Sequence, residues 1–173
     1  ITLPGRITRI KGHHDFISII KALFDDGLNV KGVIAGGADE RKREYLEELT
    51  ERIKNENLSG DILFVGHRSD MREVLAASNV VLSLTSKPES FGRTTLEALS
   101  MGVPVCGYAH GGVKEQLDAL LPEGNVKVND LVTVCNVLGR WLTKPPCVQK
   151  EHGFLFGNML SMTIDIYQKV TKK

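Results

Sequence analysis

Short apolar runs rich in β-branched residues alternate with longer amphipathic segments along most of this chain, and that alternation constrains its fold more than any other feature. Strands separated by helices are joined by crossovers, lie parallel, and form a sheet that helices cover on both faces. Six strand-like runs are legible: Ile1 to Ile7, Val30 to Ala35, Ile62 to Val65, Val80 to Leu84, Val103 to Gly107 and the weaker Val126 to Val128. Helical spacing of apolar residues predicts helices over His14 to Phe24, Glu40 to Asn57, Met71 to Ala77, from near Gly92 through Met101, and from the Gly111-Gly112 turn through Leu120. Val80 to Leu84 is nearly unbroken in its apolarity, the mark of a central strand buried on both faces. The expected fold is α/β: three layers around a doubly wound parallel sheet of about six strands.

At 173 residues, 42% hydrophobic and 25% charged, the chain fits one domain with a real core. We read residues 1–173 as that domain, with a core over 1–144 and a helical tail over 145–173. The Pro145-Pro146 breaker separates the helical candidates Leu131 to Trp141 and Leu155 to Val170. The 22 basic and 21 acidic side chains nearly cancel, so no overall field draws the chain to nucleic acid or an anionic membrane. Any phosphate binding is therefore local. Cys106, Cys135 and Cys147 are odd in number and lack CxxC spacing, which suits reduced thiols in the cytoplasm rather than a disulfide framework or zinc. No apolar stretch approaches the roughly 20 residues that span a bilayer. The chain begins at Ile1, almost directly in a strand, as expected of a domain boundary within a longer protein.

The chemistry concentrates between Pro88 and Glu115, where two carboxylates, two glycine turns and a helix start follow a central strand. In an open α/β sheet, ligands settle outside the carboxyl ends of strands, and a helix start there offers unpaired N–H groups to an anion such as a diphosphate. Gly92 would let backbone approach the ligand closely, and Thr94 and Thr95 could add hydroxyl donors. Glu97, a turn deeper, could accept hydrogen bonds from ribose hydroxyls, and Glu89 could do the same for a sugar. Bland readings stand beside these. Thr94 to Glu97 also fits a capping box, Glu89 a solvated loop charge, Gly36-Gly37 a tight strand-ending turn, and Arg6 and Lys11 ordinary surface residues. His13 and His14 read as surface or helix-cap residues, and Trp141 as core.

Glu89 and Glu97, with seven residues between them, followed by Ala98 and Gly102-Val103-Pro104-Val105, resemble the EX7E signature of glycosyltransferase family 4. Gly5-Arg6 with Lys11-Gly12, Ala35-Gly36-Gly37, Phe64-Val65-Gly66, and Gly111-Gly112 with Glu115 resemble the family's other elements in order, over roughly residues 1 to 120. The resemblance implies a Rossmann-like half of a GT-B fold, the donor domain of a retaining transferase. It implies that Arg6 and Lys11 bind the donor diphosphate, that Glu97 holds the ribose, and that Glu89 lies near the donor sugar. Backbone around Ser90, Phe91, Gly92 and Arg93, with Thr94, would meet sugar and phosphate, while Gly36 and backbone near Phe64 would face the nucleotide and its base.

The implied partners are a nucleotide diphospho-sugar, UDP-linked by preference, and an N-terminal acceptor domain of the same parent chain, absent from this sequence. No metal or cofactor is implied. The parent would work in the cytoplasm, at the inner face of the membrane for some acceptors, without membrane contact by this domain. The tail aromatics Phe154, Phe156 and Tyr167 read as core like Trp141, or alternatively would face the missing domain, since a C-terminal helix in such enzymes crosses back to it. The rival readings are another GT-B enzyme, an epimerase or phosphorylase, and a non-catalytic nucleotide-sugar-binding domain.

Overall fold

A computed structural model describes residues 1–38 and 43–171. Six strands form one sheet: β1 (Thr2–Pro4), β2 (Gly32–Ala35), β3 (Ile62–Gly66), β4 (Val81–Ser83), β5 (Val105–Tyr108) and β6 (Asn125–Val126). All neighbouring pairs are parallel, in the order β3-β2-β1-β4-β5-β6. The helices are α1 (His13–Asp25), α2 (Arg43–Asn55), α3 (Met71–Ala76), α4 (Arg93–Ser100), α5 (Gly111–Leu120), α6 (Leu131–Thr143) and α7 (Phe156–Thr171). The doubly wound α/β expectation holds: α1 packs on α2 and α6, and α4 on α3 and α5. The expected start of the second helix at Glu40 lies outside the described residues.

Burial follows the predicted periodicity. Phe16, Ile19, Ile20 and Leu23 turn one face of α1 into the core, as do Tyr45, Leu49 and Ile53 of α2. Val80, Val81, Leu82 and Leu84 are almost fully buried at the centre of the sheet. Trp141 is core, as expected, and Phe154 packs partly buried against the core, but the core reading fails for Phe156 and Tyr167, which lie exposed on a helix with no buried residue.

The first strand is shorter than expected, and Pro4 explains it. Along this segment even-numbered residues donate toward β4, as Thr2 does to Val80, whereas odd-numbered ones donate toward β2, as Gly5 does to Ala35. Pro4 has no N–H to give on the β4 side. Accordingly β1 and β4 are paired only at Thr2 and Val81, and beyond that point the sheet opens. The sheet order reverses between these two strands, so the opening is the topological switch point, where a ligand crevice is expected.

Candidate functional site

Two loops meet above that opening. The loop after β1 carries Arg6 and Lys11, and the loop after β4 carries Glu89. They are stitched together by Ser86 N–H donating to the Ile10 carbonyl at 2.8 Å and by the Lys11 ammonium on the Glu89 carboxylate. Gly12 holds them at backbone distance: its φ is +75°, and a Cβ there would fall 2.2 Å from the Leu84 carbonyl oxygen.

The β4–α4 loop is braced from behind by α5. Gly112 N–H donates to the Glu89 carbonyl at 2.8 Å, and the Gln116 amide donates to the Phe91 carbonyl. The His110 ring bonds the Thr85 carbonyl at 2.8 Å. The two glycines after β5 therefore serve close backbone packing, because a Cβ on either would fall 2.5 Å from the carbonyl oxygen of Glu89 or Phe91. Sequence reasoning missed His110 and Gln116. Gln116 is 1% exposed and shares a helical face with Val113, Leu117 and Leu120, a polar residue at a core position that signalled a buried partner.

Helix α4 begins at Arg93 behind Gly92, and no side chain caps it. Its first-turn N–H groups are thus open to a ligand. The capping-box alternative is not realised: Glu97 instead lies 3.9 Å from Arg93. Gly92 is required by the turn and by α5: its φ is +80° and a Cβ would meet Val113 Cγ2 at 2.9 Å.

Beside these elements lies a cavity of about 710 Å³. Arg6, Gly36, Arg93, Thr94 and Glu97 all line it, so five of the predicted site residues, drawn from three parts of the sequence, converge. Gly36 reaches it under steric constraint, since a Cβ would fall 1.8 Å from the Gly5 carbonyl oxygen. Lys11 and Glu89 stand next to it, with the Lys11 stem running over Gly5, which is itself a wall residue.

Phe64, Ser90, Phe91 and Gly92 do not line it. Phe64 shares a face of β3 with Ile62 and packs against the core, so the wall on that side is made by His67, Arg68, Ser69, Met71 and Arg72. The Phe91 ring turns the other way, edge-on to Phe154 with centroids 6.4 Å apart.

The surface reading of His13 is overturned. Its ring is 1% exposed, and neither nitrogen has a hydrogen-bond partner among the described residues. Burial, the largest cause, lowers its pKa to about 4; the nearby Thr8 carbonyl pulls the other way without reaching bonding geometry. His14 is partly exposed and lies between Glu48 and Arg52, bonded to both. Among the described residues no helix is long and apolar enough to cross a membrane, and no cluster of three metal-ligating side chains occurs.

The sequence profile described as "Glycosyl transferases group 1" matches residues 1–128. The chain belongs to this family. Among characterised relatives, the 2-deoxystreptamine N-acetyl-D-glucosaminyltransferase of Streptomyces fradiae is 29% identical over 142 residues, covering 80% of this chain and 32% of the relative. The lipopolysaccharide core biosynthesis mannosyltransferase LpsB of Rhizobium meliloti is 31% identical over 111 residues, 64% of this chain and 31% of that one. Among solved structures, a glycosyltransferase from Rickettsia africae superposes with a TM-score of 0.84 at 21% identity, covering 99% of this chain and 48% of its own. HepE of Anabaena, solved with UDP and glucose, gives 0.75 at 23% identity, covering 83% and 39%. The chain thus spans about a third of these characterised relatives and under half of these solved structures. The α/β sheet flanked by helices is the fold of solved GT-B glycosyltransferases.

Proposed function

We propose that this chain is the donor-binding half of a retaining glycosyltransferase of family 4, which transfers a hexose-type sugar from a nucleotide diphosphate to a glycan or lipid acceptor. The observation that carries the reading is the convergence of Arg6, Gly36, Arg93, Thr94 and Glu97 on one cavity at the switch point, with Lys11 and Glu89 beside it. The diphosphate lies at the open start of α4, where backbone N–H groups and Arg6 supply positive charge. Lys11 adds a compact charge that stabilises the phosphate as it departs. Glu97 accepts from the ribose hydroxyls. Glu89 positions the sugar and holds Lys11 until the donor arrives.

Retention follows from attack on the face the phosphate leaves, with a phosphate oxygen taking the acceptor's proton, so no protein nucleophile is required. The acceptor is held by a domain outside this chain, and the cleft between the two halves is the active site. The exposed apolar face of α7 suits contact with that domain. UDP is the favoured nucleotide, supported by the UDP and UDP-glucose complexes of HepE. Donor binding proceeds without a divalent ion, and the parent enzyme works in the cytoplasm.

Calorimetric titration with UDP and GDP, comparing the parent sequence with Glu97→Ala and Lys11→Ala, tests the site. Binding of one nucleotide, weakened by both changes and indifferent to a chelator, is expected. Binding unaffected by either substitution would remove the assignment. Efficient transfer by residues 1–173 alone would show that the active site does not need a second half.

A further inference from the structure

Granted the donor-site reading, on which this inference rests, the cavity has a direction. The α4 face that lines it carries Arg93 and Thr94 in the first turn, Glu97 a turn on, and Ser100 at the far end with the C-cap Met101 beyond it. At the helical rise this face extends about 12 Å, enough for a nucleoside diphosphate laid along it with its phosphates at the helix start. With the ribose at Glu97, the base falls at the opposite end, between Leu96 of α4, Met101 just past its last turn, and Met71 of α3. These three side chains are partly buried against the core and make an apolar slot suited to a flat ring.

The edge of that ring meets the wall contributed by α3 and the loop before it. Arg68 is occupied there, its guanidinium forked onto Asp70 with Nε to Oδ1 at 2.8 Å. Arg72, next to Met71, has no ion pair or side-chain hydrogen bond among the described residues, and it lines the same cavity. A guanidinium is all donor and no acceptor. It satisfies O6 and N7 of guanine or O4 of uracil, whereas adenine offers its amino group at the same edge and sets donor against donor. We propose that Arg72 reads the nucleobase, so that this site takes nucleotides whose base carries an exocyclic carbonyl, uracil or guanine, and rejects adenine.

Titration of the chain with UDP, GDP and ADP at one ionic strength, for the parent sequence, Arg72→Ala, Arg72→Lys and Glu97→Ala, tests this. The better of UDP and GDP should bind about tenfold more tightly than ADP. Arg72→Ala should close most of that gap by weakening the preferred nucleotide alone, and Arg72→Lys, which keeps the charge but loses the fork, should narrow it too. Equal affinity of the parent sequence for all three nucleotides, or an equal loss for all three in Arg72→Ala, overturns the role of Arg72 and leaves the donor site standing. Absence of binding by any nucleotide, or binding indifferent to Glu97→Ala, overturns the donor site and the base-reading role together. Arg72 is exposed, so coincident thermal melts of the variants should accompany either result.

Discussion

The Lys11 ammonium rests directly on the Glu89 carboxylate, joining the loop after β1 to the loop after β4 across 78 positions of sequence. Their side chains are 26% and 27% exposed, so the pair is screened less than an open surface pair. A diphosphate that recruits Lys11 must displace a carboxylate already neutralising it. Glu89→Gln removes that competitor at constant volume. Free nucleotide should then bind about two- to fivefold more tightly, a gain of ~0.5–1 kcal/mol that shrinks as salt is added. Transfer by the full-length enzyme should fall, because the sugar loses its anionic partner. Weaker nucleotide binding by the Gln variant in calorimetry would mean that the pair assists rather than opposes the donor.

Gly36 joins the packing of the strand ends to the cavity wall. An added Cβ would strike Gly5 backbone, which cannot rotate away, so the ends of β1 and β2 would have to part. Gly36→Ala should destabilise the fold by about 3 kcal/mol and abolish nucleotide binding. Gly60→Ala serves as the control, since nothing lies within 4 Å of its added Cβ; its cost should stay within about 0.5 kcal/mol. Urea denaturation separates the two, and equal midpoints would contradict the close approach.

His13 sets an acid limit on stability. Its folded pKa, about 4, lies below the ordinary imidazole value of 6.5, so the unfolded chain binds the extra proton first as pH falls. The stability from burying the neutral ring is complete above the unfolded value, declines between the two, and is gone below the folded one. The loss amounts to ~3 kcal/mol at most. His13→Leu should flatten this part of the stability profile between pH 7 and pH 4. Chemical denaturation at several pH values measures it, and a slope unchanged in the variant would assign the titration elsewhere.

The alternation of strands and helices was legible because each βα unit is written locally, in apolar spacing and glycine turns. What escaped the sequence was long-range. β6 forms at Asn125–Val126 rather than Val126–Val128 because its register is set by Gly107 and Tyr108 on the neighbouring strand. The start of α4 near Gly92 was legible, but its bracing from behind was not, because Gly111 and Gly112 bring backbone against the preceding loop only in the fold. His13 was readable in hindsight, since it lies three and four residues before the buried Phe16 and Ile17. The donor-site glutamates and basic residues were legible as a motif, but the motif put the base side at Phe64 rather than at the residues that line the cavity there. Gly66 was legible as a motif element, but only the bend of the chain after β3 brings His67 to Arg72 to the cavity.

No residue of α7 is buried, and its Phe156, Met162, Tyr167 and Val170 are each at least 66% exposed. A helix of this length has little stability of its own in water and gains none here from core packing. The segment just before it differs. His152 bonds the Ser100 hydroxyl at 2.8 Å, and Phe154 meets Phe91, so this strap is part of the domain. Removing residues 156–173 should therefore leave the melting temperature within about 2 °C. Removing residues 147–173 should lower it further by several degrees, about 4 °C for each 1 kcal/mol lost. Thermal melts of the two truncations decide the matter. If the shorter deletion destabilises as much as the longer one, α7 contributes to this domain's own stability, and its exposed face is not kept for a partner alone.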